Sequence, residues 1–124
     1  MNRRMRNVAV GFAALVIGFV LYWHWAHGAL AFDRARWRES AKGSDDLVRH
    51  RMADRLVASN ALLGKGRSEV ETMLGPPNGD GYFKDECLAY YLGPERGYIS
   101  IDSEWLVLSC NTSGQVVRAR VLRD

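Results

Sequence analysis

The stretch Trp105-Leu106-Val107-Leu108-Ser109-Cys110-Asn111-Thr112-Ser113-Gly114-Gln115-Val116-Val117-Arg118-Ala119-Arg120-Val121 decides the fold. Apolar residues on both sides of Asn111-Thr112-Ser113-Gly114 recur with period two. The four residues between them are of the types that turn a chain, because Asn bonds to its own backbone and Gly accepts positive φ. The segment therefore reads as strand, turn and strand. A register with Leu108 opposite Val117 places Leu106 opposite Ala119 and makes one face of both strands apolar. Arg118 and Arg120 then point outward as solvated edge residues. The triplet Asn111-Thr112-Ser113 also has the form of a glycosylation acceptor, but its turn role accounts for it.

Upstream, Leu88, Tyr90 and Leu92 alternate with Cys87, Ala89 and Tyr91, and Ile99 and Ile101 extend the period-two pattern towards Trp105. A three-stranded antiparallel meander is expected. Before it, Arg67 to Leu74 carries helix signals at both ends: Gly66 or Ser68 as cap, Glu69 and Glu71 in the first turn, and Val70, Met73 and Leu74 on one face. Gly75 and then Pro76-Pro77 stop it. An earlier helix is expected from a Ser44 cap with Asp45 and Asp46 at its positive end; Val48, Met52 and Leu56 recur every four residues on its apolar face. His50, among charged neighbours, reads as a surface histidine. The expected fold is α+β, with a transmembrane helix followed by two helices packed on a three-stranded antiparallel sheet, in three parts: an anchor over 1–31, a charged linker over 32–43 and the α+β domain over 44–124.

The anchor rests on Arg3, Arg4 and Arg6 followed by an apolar run with no charge until Asp33. About 20 helical residues cross a hydrocarbon core of ~30 Å. Tyr22, Trp23 and Trp25 stand at its far end as a membrane-interface belt. Ala29-Leu30-Ala31 also fits a signal-peptide cut, but the apolar run exceeds the usual length of such signals, which favours a retained anchor. Arginines crowded at the start favour a cytoplasmic N-terminus and an exported domain, that is, a single-pass inner-membrane protein with its C-terminal domain in the periplasm. His24 and His27 share a helix face but find no further ligands nearby and belong to the belt. The linker, with Arg34, Arg36, Trp37, Arg38 and Glu39, reads as a solvated spacer rather than a lipid-binding patch.

Lys and Arg number 17 and Asp and Glu 14, a net charge of +3 that Arg3, Arg4 and Arg6 supply. The remainder is neutral, which argues against a nucleic-acid partner. No Ser/His/Asp or Cys/His set, metal-ligand spacing, calcium loop at Asn78-Gly79-Asp80-Gly81 or phosphate loop at Gly64-Lys65-Gly66 can be assembled. Asp85-Glu86 and Asp102 with Glu104 are the paired carboxylates, of a kind usual on solvated loops. No catalytic, cofactor-binding or metal residues are expected, nor a cofactor or a small-molecule substrate. Cys87 and Cys110, the chain's two cysteines, invite a disulfide in an exported domain. If Leu88, Tyr90 and Leu92 face the core, the two lie on opposite faces and need a bulge or fraying to meet; if Cys87, Ala89 and Tyr91 face inward, a register pairing 87 with 110 is open.

The order Leu63-Gly64-Lys65-Gly66-Arg67-Ser68-Glu69-Val70, Leu74-Gly75-Pro76-Pro77, Tyr90-Tyr91-Leu92-Gly93 and Asn111-Thr112-Ser113-Gly114-Gln115-Val116 resembles the BamE (SmpA/OmlA) domain family over residues 47–122. That resemblance implies two helices on a three-stranded antiparallel sheet and a non-catalytic module that supports outer-membrane protein assembly through protein and lipid contacts. The chain departs from the family's pattern in having a transmembrane anchor instead of a lipidation cysteine, and Gly66 where a capping Ser or Thr is usual. What the resemblance implies here is a membrane-anchored envelope interaction module whose partners are the bilayer and another envelope protein. The alternative is an accessory or inhibitory subunit of an envelope enzyme.

Overall fold

The computed structural model describes residues 2–41, 47–78 and 81–124, except for the side chains of 25–27. Among the described residues four helices, α1 (Arg3–His27), α2 (Arg34–Ser40), α3 (Val48–Ala58) and α4 (Arg67–Leu74), precede three strands, β1 (Leu88–Pro94), β2 (Ser103–Cys110) and β3 (Val116–Arg123). The strands form one antiparallel sheet in the order β1-β2-β3. The fold is α+β, as the periodicity implies.

α1 begins where the Asn2 side chain accepts a hydrogen bond from the Met5 amide. Its span Arg3–His24 is long and apolar enough to cross a membrane. Its 22 residues cover about 33 Å at ~1.5 Å each. Phe12, Leu15 and Phe19 project from it exposed, as do Tyr22 and Trp23 of the expected belt; the Trp25 side chain lies outside the described residues, as does that of His27.

The segment expected as a solvated spacer is instead partly built into the core. Asp33 caps α2 by accepting from the Arg36 amide, and Trp37, one turn in, is fully buried. Its ring packs against Phe32 and edge-on against Tyr90, and its indole N–H donates to the Leu74 carbonyl at 2.9 Å. Leu74 is the last residue of α4, whose final carbonyls have no partner within the helix. Gly75 turns away there at φ 87°, a conformation that favours glycine, and its own carbonyl accepts from the Tyr90 hydroxyl at 2.8 Å. Burial pushes the Tyr90 hydroxyl up to about 12, helped by the nearby Glu71 charge. The Gly-Pro-Pro stop is thus tied down by two buried aromatic side chains.

α3 buries Val48, Met52 and Leu56 as expected, but it also buries Arg49 and His50. It begins at Val48, after Leu47 in the left-handed conformation at φ 53°; Ser44, Asp45 and Asp46, expected as its cap and first turn, lie outside the described residues. α4 starts at Gly66, whose amide donates to the Glu69 carboxylate at 3.4 Å.

In the sheet, Leu88 and Tyr90 pair with Leu108 and Leu106 on the core face. β3 lies two residues away from the expected register: Leu108 pairs with Ala119 and Leu106 with Val121. A shift of two keeps the faces unchanged. The register breaks between Ser109 and Cys110, where Cys110 pairs with Val116 and Val117 becomes an extra residue, 54% exposed instead of inward. Val116 takes the core position because its amide and carbonyl bond to Lys65 and Gly64. Cys87 lies just before β1, outside its ladder, and packs against the core together with Cys110, so fraying at the start of β1 answers the cysteine question: the two bond at a Cα separation of 5.6 Å. Ile99 and Ile101 lie outside the strands, in the exposed connection between β1 and β2.

Two outcomes are expected from urea unfolding of the full chain in detergent micelles, followed by circular dichroism. Trp37→Phe, which keeps the ring but leaves the Leu74 carbonyl buried and unpaired, costs about 1–3 kcal/mol; an unchanged midpoint would remove Trp37 from the core's account. Replacing both Cys87 and Cys110 by Ser costs about 3 kcal/mol, the scale set by a loop of this length.

Candidate functional site

The notable chemistry lies between α3, the end of β1 and the start of β2. The β1–β2 register shifts between Tyr91 and Gly93, leaving Leu92 unpaired, and Pro94 beyond it lies beside α3. The glycine is required here twice over: its φ is 140°, and a Cβ at this position would meet His50 Cε1 at 2.8 Å. His50 Nε2 lies 2.8 Å from the Pro94 carbonyl and 3.5 Å from Glu104 Oε2. A carbonyl only accepts, so Nε2 carries the hydrogen.

Arg96, the second residue after β1, joins three elements. Its guanidinium donates to both carboxylate oxygens of Asp54 on α3, the shorter at 2.6 Å, and to both of Glu104 on β2, the shortest at 2.9 Å; its backbone amide donates to Glu104 as well. The His50 and Glu104 side chains are each 4% exposed. Burial pushes the Glu104 carboxyl up, but the bonds and charge of Arg96 outweigh it and hold it below the usual range. The bonds to Asp54 and Glu104 in turn raise Arg96 against its own desolvation.

Arg49 faces the other side of the same helix turn. Its guanidinium stacks 4.5 Å from the Trp37 ring centroid, donating to the Trp37 carbonyl and to the Tyr91 carbonyl on the free edge of β1. Burial pulls it below its usual value, although arginine stays charged. The rest of that edge is also taken: Arg67 donates to the Cys87 carbonyl and the Asn78 amide to that of Ala89, while the Asn78 side chain accepts from the Tyr91 amide. A concavity of about 530 Å³ opens beside the cluster, lined by Arg49, His50, Tyr91, Glu95 and Arg96. Ala41 and Leu47 border it as well.

The sequence-level carboxylates do not converge. Asp102 and Asp85 are exposed, Glu86 pairs with Arg120 and accepts from Ser109 on the opposite face of the sheet, and Glu104 belongs to the Arg96 cluster. On that opposite face Phe83 and Tyr91 pack against Trp105, whose indole donates to Asp124. Among the described residues, no three His, Cys, Asp or Glu side chains are placed to hold a metal ion. The sequence offers no signal that Arg49 and His50 are buried or that Asp54 and Arg96 meet, because charged residues beside an apolar stripe ordinarily face water. Each cluster side chain is engaged by a protein partner, so the arrangement braces the junction of α3 with both strands.

Comparison with family models, with curated proteins and with solved structures finds no match to this chain.

Because Glu104 is held below its unfolded value, its stabilisation is present above the ordinary carboxylate range, ~4 to 4.5, and is lost as pH falls through its depressed folded value. Thermal melts of the full chain from neutral pH downward are expected to show that loss. Glu104→Gln is expected to remove about 1–3 kcal/mol at neutral pH and to flatten the acid limb; an acid limb as steep as that of the parent would assign it to other carboxylates.

Proposed function

We propose that this chain is a membrane-anchored, non-catalytic interaction module of the cell envelope, with its α+β domain exported and bound to another envelope protein. The observation that carries this reading is the Cys87–Cys110 disulfide in a domain joined directly to an apolar helix of spanning length. Disulfides persist in oxidising compartments, and three arginines before the helix favour retention of its N-terminus on the cytoplasmic side. That orientation puts the domain in the periplasm and the helix in the inner membrane.

Two features support binding rather than catalysis. The buried His50 and Glu104 and the half-buried Arg96 and Asp54 side chains spend their hydrogen bonds on one another and on the backbone. The resemblance to the BamE (SmpA/OmlA) domains, with their helix, Gly-Pro-Pro stop and tyrosine-bearing strand, points the same way, towards support of envelope protein assembly.

The test combines topology with partner capture. In spheroplasts, protease is expected to remove a C-terminal epitope while a cytoplasmic control protein survives; protection of the epitope would overturn the exported placement. Photo-crosslinkers at the exposed Tyr82 and Val117 are expected to trap a discrete envelope protein in cells. Recovery of no such adduct from either position would count against an interaction module.

A further inference from the structure

The connection between β1 and β2 presents apolar side chains in a way the fold does not need. Tyr98 is fully exposed, Ile99 is 71% exposed and Ile101 82%. Residues 97–101, Gly-Tyr-Ile-Ser-Ile, carry no charge. A water-facing surface rarely gathers three large apolar side chains in four residues.

The base of this loop is held firmly. The Glu95 amide donates to the Asp102 carbonyl, Ser100 Oγ donates to the Glu95 carbonyl, and the Ile101 amide donates to the Glu95 carboxylate. Arg96 ties the same base to Asp54 and Glu104. The half-buried charged cluster therefore acts as the mount of an uncharged, apolar tip.

What lies opposite the tip follows from where the mount sits. Arg51 on α3 grips the start of the short connector that leaves α1: its Nε donates to the Gly28 carbonyl at 2.8 Å, and its own carbonyl accepts from the Leu30 amide at 3.0 Å. Asp54, which holds the loop through Arg96, stands three residues further on, one helical turn away and on an adjacent side of α3. The chain just beyond the apolar helix and the base of the apolar loop are thus fastened within one turn of each other on the same helix. An extended half of an eight-residue loop reaches about 13 Å, which brings the tip within range of the surface from which α1 emerges. Three exposed arginines on α2, Arg34, Arg36 and Arg38, lie a few residues beyond that exit and suit an anionic headgroup layer.

We infer that the 95–102 loop is a second membrane contact, with Tyr98, Ile99 and Ile101 seated at the headgroup–acyl boundary of the leaflet that α1 leaves. Tyrosine suits that depth because its ring is apolar and its hydroxyl stays hydrated. The contact holds the domain in one orientation against the bilayer and leaves the sheet's far side to a protein partner. It rests on the reading of α1 as a membrane anchor.

The test uses the full chain in vesicles of phosphatidylethanolamine and phosphatidylglycerol, with p-azidophenylalanine placed singly at position 19, 82 or 98 and coupled to a polarity-sensitive fluorophore. All three positions hold exposed aromatic residues in the parent chain. Lipids spin-labelled at a shallow or a deep acyl position serve as quenchers. The expected result is quenching at 98 mainly by the shallow label, quenching at 19 mainly by the deep one and little at 82. Ile99→Ser with Ile101→Ser is expected to bring the signal at 98 down to that at 82. Quenching at 19 with none at 98 beyond the level at 82 would overturn the inference, leave the anchor standing and free the loop for a protein partner. Quenching at 98 that the double serine variant does not reduce would also overturn it, and absence of quenching at 19 would overturn the anchor and the loop contact together.

Discussion

The hydrogen bond from the Trp37 indole to the Leu74 carbonyl is the constraint around which the domain is arranged. A two-turn helix such as α4 has little stability of its own, and its end is the part that water would otherwise satisfy. Trp37 and Tyr90 replace that water from two directions, one from α2 and the other from β1. Full burial of an indole of about 200 Å² contributes about 5 kcal/mol as an upper figure. The same ring carries the stacked Arg49 guanidinium, which in turn closes the edge of β1. Three helices and a strand thereby meet at one side chain.

A second constraint operates at the other end of β1. Gly93 lets the backbone pass against the His50 ring, and the displaced chain then delivers Arg96 between Asp54 and Glu104. Buried charges are costly unless paired and hydrogen-bonded, and here the pairing spans α3, the loop and β2. The charge cluster and the aromatic cluster share α3, so the helix that holds the connector leaving α1 is also bound to the sheet through both.

Features written in neighbouring residues could be read directly. The α4 boundaries follow from Gly66, Glu69 and Gly75-Pro76-Pro77, the 111–114 turn from Asn111, whose side chain accepts from the Ser113 and Gln115 amides, and the apolar stripe of α3 from Val48, Met52 and Leu56. The reading failed where distant residues decide the outcome. Trp37 among five charged or polar neighbours looks like part of a spacer until Leu74, 37 positions away, takes its indole hydrogen. Arg96 and Asp54 are 42 positions apart. The period-two pattern of Ile99 and Ile101 matched a strand, yet no neighbouring strand or helix covers them.

The amino-acid sequence by itself determined the apolar N-terminal helix, the helical and extended character of the domain's elements and the inward face of β2, because these depend on periodicity and on capping within a few residues. Tertiary structure alone decided that α2 belongs to the core, that His50 and Arg49 are buried, that Cys87 just outside β1 meets Cys110 at the end of β2, and that an apolar loop is left outside. Those outcomes depend on which groups meet in three dimensions, where a lost contact with water must be matched by a partner from elsewhere in the chain.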